Sequence, residues 1–147
     1  MKNVFRVAAL TASLVFANAS WAADAVATAA AKEAGAVVTP SGLVFRSLKD
    51  GTGASPSAKD NVKVHYRGTF PDGKEFDSSY KLNEAIEFPL NGVIACWTEG
   101  VQRMKVGGKA KLTCPAAIAY GSRGAGGVIP PNATLLFEVE LLAINGK

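Results

Sequence analysis

Few residues in this 147-residue chain could do covalent chemistry, and their spacing argues against it. The single histidine, His65, has no serine or cysteine nucleophile in pattern with it. The alternation around it places it on the solvated face of a strand. The two cysteines, Cys96 and Cys114, lack CxxC spacing, and with one histidine in the chain they do not suggest a structural metal site. A glycine-rich run at 121–127 could be read as a phosphate cradle. No Lys-Ser/Thr follows it, however, and Pro130-Pro131 stands where a helix would have to begin. What remains is binding chemistry, centred on Trp97. Its ring is the largest apolar body available, and it serves either as core packing or as the floor of a pocket.

Trp97 is positioned by the one convincing amphipathic helix of the mature chain, expected over 92–104. Ile94, Trp97, Val101 and Met104 form an apolar stripe there, Glu99, Gln102 and Arg103 turn away, and Gly107-Gly108 stops the helix. So short and apolar a helix needs a sheet to lie on. Residues 61–70 supply the clearest strand, with Val62, Val64 and Tyr66 on one face and Lys63, His65 and Arg67 on the other. Pro71-Asp72-Gly73-Lys74 reads as a hairpin turn leading into a returning strand at 75–79. Strands are also expected at 43–48, at 85–90, where Pro89 fits only near an edge or a strand end, at 109–115, and at 134–144. The fold class is α+β, an antiparallel sheet of five or six strands with one short helix.

Composition fits a globular domain, 48% hydrophobic and 19% charged. The first residues stand apart. Lys2 and Arg6 precede an apolar run, and Ser20 and Ala22 set a small-residue cleavage site, so 1–22 reads as a signal peptide cut after Ala22. The other reading is an uncleaved anchor, for which the apolar run is short. Removing Lys2 and Arg6 leaves 14 basic against 12 acidic residues, too balanced for a nucleic-acid partner. A periplasmic or secreted location follows, with no membrane span after cleavage. Residues 23–38 form an Ala-rich tail or linker, loose or with a turn or two of helix, and 39–147 form the domain. In an oxidising compartment two inward-facing thiols, Cys96 on the helix and Cys114 on the strand beside it, are expected to form a disulfide.

Several motifs in one order give a resemblance. They are His65-Tyr66-Arg67-Gly68, Gly73-Lys74-Glu75-Phe76-Asp77-Ser78-Ser79, Val93-Ile94 with Trp97-Thr98-Glu99-Gly100, Ala119-Tyr120-Gly121, and Ile129-Pro130-Pro131-Asn132-Ala133-Thr134-Leu135. Over about 39–144 the chain resembles the FKBP-type peptidyl-prolyl cis-trans isomerases, in particular secreted bacterial members such as the periplasmic and Mip-like proteins. The resemblance implies a half-barrel of antiparallel strands wrapped on the helix, with no metal or other cofactor. It implies a pocket in which Tyr66, Phe76, Asp77, Ile94, Trp97, Tyr120 and Phe137 are catalytic and Phe88, Val93, Val128 and Ile129 bind substrate. Trp97 would then be core and floor at once. Asp77 also has a plainer reading, as a carboxylate capping the turn after the hairpin.

The partners implied are proline-containing segments of unfolded or exported proteins, with macrolides of the FK506 type as inhibitors. The long dimerisation helix of Mip-like proteins is not seen before residue 39, so a monomer is expected. Leu82 stands where the family often has a basic residue, leaving the partner of Asp77 open; Ile86 replaces an aromatic, and Cys96 a glycine. The competing readings are a holdase that grips unfolded chains with little catalysis, and an interaction factor using the glycine-rich loop.

Overall fold

The structure, a computed structural model, describes residues 18–145. The first seventeen residues of the expected signal peptide lie outside that range. The strands are β1 Ala36–Val38, β2 Val44–Lys49, β3 Asn61–Thr69, β4 Glu75–Ser78, β5 Ile86–Pro89, β6 Lys109–Cys114 and β7 Leu135–Ile144. Their order in the sheet is β1-β2-β6-β7-β3-β4, with β5 also on β3, and every pairing is antiparallel. Helices α1 Asn18–Ala31, α2 Ser79–Leu82 and α3 Ala95–Gln102 accompany them. β4 takes residues 67–69 of β3 and β5 takes 61–64, so the two share one side of β3 with α2 looped out between them. Pro89 sits on that outer side, where its missing N–H breaks no ladder.

The α+β class is as the alternation predicts. Val62, Val64 and Tyr66 of β3, with Leu135, Phe137, Val139 and Leu141 of β7, are all buried in one cluster under α3. The helix is shorter than the apolar stripe suggests. Leu90–Gly92 closes a 3-10 turn and Val93 is extended, so helical backbone begins only after Ile94. At the other end, the Arg103 and Met104 N–H groups bond to Gly100 and Val101, a tightened last turn that still buries Met104. Gly100 sets how closely α3 approaches the sheet, because a Cβ there would lie 2.9 Å from both methyls of fully buried Leu112. Cys96 and Cys114 are joined, with Cα atoms 5.8 Å apart and a sequence separation of 18. Closing a loop of that size is worth roughly 3 kcal/mol in the chain-entropy picture.

Two features go beyond the sequence reading. The first is the N-terminal segment, where helix α1 is longer than a turn or two and crosses the Ala22-Ala23 junction, and β1 brings the sheet to seven strands. Both belong to the segment expected as tail or linker. It docks through Glu33, which accepts two 3.1 Å hydrogen bonds from Lys111 Nζ and lies 3.9 Å from Arg46. The second feature is α2, a single turn capped by Ser78 Oγ and ended by Asn83 in the left-handed conformation. Its first residue, buried Ser79, accepts the Tyr66 N–H at 2.7 Å and lies 2.8 Å from His65 Nδ1. His65 is on the outward face, as expected, but is half-buried and stacked on Tyr80 with ring centroids 4.7 Å apart.

Candidate functional site

A cleft of about 590 Å³ opens between α3 and the sheet. Trp97 lies at its base, 6% exposed, and three rings surround it. Phe137 of β7 meets it edge-on at 5.2 Å, Tyr66 of β3 edge-on at 5.1 Å, and Phe88 of β5 at a tilt at 5.4 Å. Trp97 is therefore both core and floor. Its indole N–H is buried without an acceptor among the described residues. Phe76 of β4 continues the wall, edge-on to Phe137 at 5.7 Å and backed by Phe70 at 4.8 Å. That packing depends on Gly68, since a Cβ there would lie 2.7 Å from Phe76 Cζ and 2.9 Å from Phe137 Cε1.

Polar groups are few and fixed. The Tyr66 hydroxyl donates to Asp77 Oδ2 at 2.5 Å, and the Ser78 N–H donates to Oδ1 at 2.9 Å. The partner of Asp77 that the sequence left open is thus a tyrosine of the same cleft, across the β3–β4 pair. Among the described residues Asp77 makes no ion pair. The Ser78 contact is local to the chain, and the Tyr66 contact joins two residues that line the cleft. Burial, then the hydrogen bond and charge of Asp77, then Tyr120, push the Tyr66 hydroxyl well above the ordinary tyrosine range. It stays a protonated donor.

Ile94 is the residue before α3, and its N–H has no acceptor among the described residues. Its carbonyl instead receives the Trp97 and Thr98 N–H groups, both at 3.0 Å. A free N–H at a helix start is a ready donor to a ligand oxygen. Val93 and Tyr120 complete the rim, Tyr120 being 38% exposed and placed by the short 3-10 turn Ala116–Ile118 after β6.

Of the residues expected in the pocket, Tyr66, Phe76, Asp77, Phe88, Val93, Ile94, Trp97, Tyr120 and Phe137 line this one cleft. Val128 and Ile129 are not among its lining residues. Ile129 is buried in the core, exchanging two 2.9 Å backbone hydrogen bonds with Ala125, and Gly124 must be glycine because a Cβ would collide with the Ile129 carbonyl. Val128 is 56% exposed and borders a separate cleft beside Phe70, Pro71 and Pro130-Pro131. The sequence reading missed Ile86 and Gly92, which also line the site. Ile86 was findable, since it precedes Phe88 by two on the same face of β5. Gly92 carries no side-chain signal. Among the described residues no group of three or more His, Cys, Asp or Glu could hold a metal ion, and no helix is long and apolar enough to cross a membrane.

Residues 53–142 match the sequence pattern of a family described as FKBP-type peptidyl-prolyl cis-trans isomerase. The chain is 57% identical over 114 residues to the FKBP-type peptidyl-prolyl cis-trans isomerase FkpA of Aeromonas hydrophila, covering 78% of this chain and 42% of that protein. It is 50% identical to FK506-binding protein 1 of Dictyostelium discoideum, covering 69% of this chain and 96% of that one. The crystal structure of FkpA from Escherichia coli superposes with a TM-score of 0.83 at 44% identity, over 87% of this chain and 60% of that one. The chain spans about half the length of the bacterial relatives it matches.

Proposed function

The chain belongs to the FKBP-type peptidyl-prolyl cis-trans isomerases, and from that premise we propose that its aromatic cleft accelerates rotation about X-Pro bonds in exported proteins. What supports this reading is a cleft walled by four aromatic rings with a small set of polar groups at hand to pair with a peptide: the free Ile94 N–H, the Tyr66–Asp77 pair and the Tyr120 hydroxyl. The uncatalysed rotation faces a barrier of about 18–20 kcal/mol because amide resonance must be lost. No bond is made or broken, so neither nucleophile nor proton relay is required.

The proline ring lies on Trp97 between Phe76, Phe88 and Phe137, while Val93 limits the rim. A planar amide carries more charge separation than the twisted transition state. Walls that exclude water therefore disfavour the start of the reaction relative to its midpoint. The Ile94 N–H holds a substrate carbonyl, the protonated Tyr66 keeps Asp77 aimed, and Tyr120 orients the turned peptide. The same walls suit a macrolide of the FK506 type, in keeping with the name of the Dictyostelium relative.

Export is inferred from residues 1–22, with cleavage after Ala22, and a buried disulfide agrees with an oxidising compartment. The test of activity is a protease-coupled assay on a Leu-Pro peptide. Acceleration that disappears with a macrolide supports the reading, and a folded chain without acceleration defeats it. Intact mass of the exported chain tests the other half: a product that still begins at Met1 counts against cleavage.

A further inference from the structure

Helix α3 has no side-chain N-cap and only eight residues, shorter than an isolated helix needs to hold its own shape. Yet the groups asked to act in the cleft stand at its first turn. Ile94, with its free N–H, is two residues before Cys96, and Trp97 is the residue after it. Cys114 is the last residue of β6, and the chain then runs through Pro115 and the turn Ala116–Ile118 to Tyr120. The disulfide therefore joins the two segments that carry the floor, the carbonyl donor and the rim hydroxyl. Both cysteines are fully buried, so the bond lies in the core between helix and strand. Other ties on the same turn come from Thr98, whose hydroxyl donates to the Leu90 carbonyl at 2.8 Å, and from Glu99, which accepts the Ser41 hydroxyl at 2.5 Å. Neither reaches β6 or the segment leading to Tyr120.

We propose that the Cys96–Cys114 bond is a positioning element of the isomerase site, fixing Trp97 and the Ile94 N–H relative to Tyr120. It does more than stabilise the fold. This rests on the isomerase reading above. A misplacement of about 1 Å at such a site is enough to cost up to a hundredfold in rate. Loss of the bond with the helix otherwise intact should therefore lower kcat/KM by roughly tenfold.

Two double variants make the test: Cys96→Ala with Cys114→Ala, and Cys96→Ala with Cys114→Val, the second restoring buried volume without the bond. Isomerase kcat/KM is measured at a temperature far below each melting midpoint, beside the amide resonance of Ile94 and the indole resonance of Trp97. The expected result is a large fall in kcat/KM in both folded variants, with both resonances displaced. Folded variants within twofold of the parent, with those resonances unmoved, would overturn the proposal and leave the bond as a stabiliser. Failure of both variants to fold would overturn it too, by making the bond a requirement of folding. A parent chain without activity would instead sink the isomerase reading itself.

Discussion

Gly68→Ala separates packing from function. The residue lies mid-sheet, opposite Asp77 on β4 and Phe137 on β7, and its backbone is not in the left-handed region, so alanine is allowed there. Replacing glycine stabilises through the unfolded chain by about 0.4–1 kcal/mol. Against that, the new methyl would sit 2.7 Å from Phe76 and 2.9 Å from Phe137, an overpacking that typically costs about 1–3 kcal/mol. Which ring yields decides the outcome. Phe137 is buried and fixed by Trp97, whereas Phe76 is half-buried with the cleft on its open side. Phe76 therefore turns into the cleft, and the net loss of stability is held to roughly 0.5–2 kcal/mol, a fall in melting temperature of about 2–8 °C. The displaced ring occupies the space that the proposed function assigns to proline, so kcat/KM should fall about 10- to 100-fold. Thermal melts and the protease-coupled assay on the same preparation decide it. A variant that melts a few degrees lower but isomerises at the parent rate refutes the assignment of Phe76 as a working wall.

Tyr66→Phe should lower activity several-fold, since Asp77 keeps only the Ser78 N–H, and macrolide affinity measured by calorimetry should drop with it. The same variant tests a pH dependence. Tyr66 and Tyr80 both hold their protons above the ordinary value of about 10, each first through burial and then through Asp77 or Glu140. The stability they add is intact below pH 10 and is lost as pH climbs beyond it, so melting temperatures between pH 9 and 11 should fall less steeply in Tyr66→Phe than in the parent. Trp97→Leu removes a large ring but also an unpartnered buried N–H, which brings its cost to about 1–3 kcal/mol in denaturant melts, with activity nearly abolished. Asp77→Val should fold and melt within about 1 kcal/mol of the parent, because Asp77 is an exposed residue without an ion pair among the described residues, yet isomerise more slowly; equal rates on a Phe-Pro peptide would return Asp77 to a plain turn cap.

Strict period-two alternation is why β3 and β7 were legible: one face had to be buried, and every second residue says so. The helix was legible in its stripe but not in its length. Gly92 and the extended Val93 delay its start, and apolar periodicity does not register a backbone that is not yet helical. The Ala-rich segment before Thr39 has helix propensity without a pattern, and what docks it is Glu33 reaching Lys111, 78 residues on. The partner of Asp77 was hidden for a related reason. A missing basic residue was visible at Leu82, now 67% exposed, but a hydroxyl offered across the β3–β4 pair is a property of register. Ile129 shows the converse, a residue whose motif suggests a ligand contact while its backbone pins a loop to the core.

The central position of β7 carries a consequence for how the chain comes to be folded. It is hydrogen-bonded to β6 on one side and β3 on the other, and it is the last strand among the described residues. Without it, the pairings among the described residues divide into one set of β1, β2 and β6 and another of β3, β4 and β5, with no ladder joining them. Neither set can cover the apolar side of α3 alone. In a chain emerging N-terminus first, the complete sheet therefore cannot close over α3 until β7 is delivered.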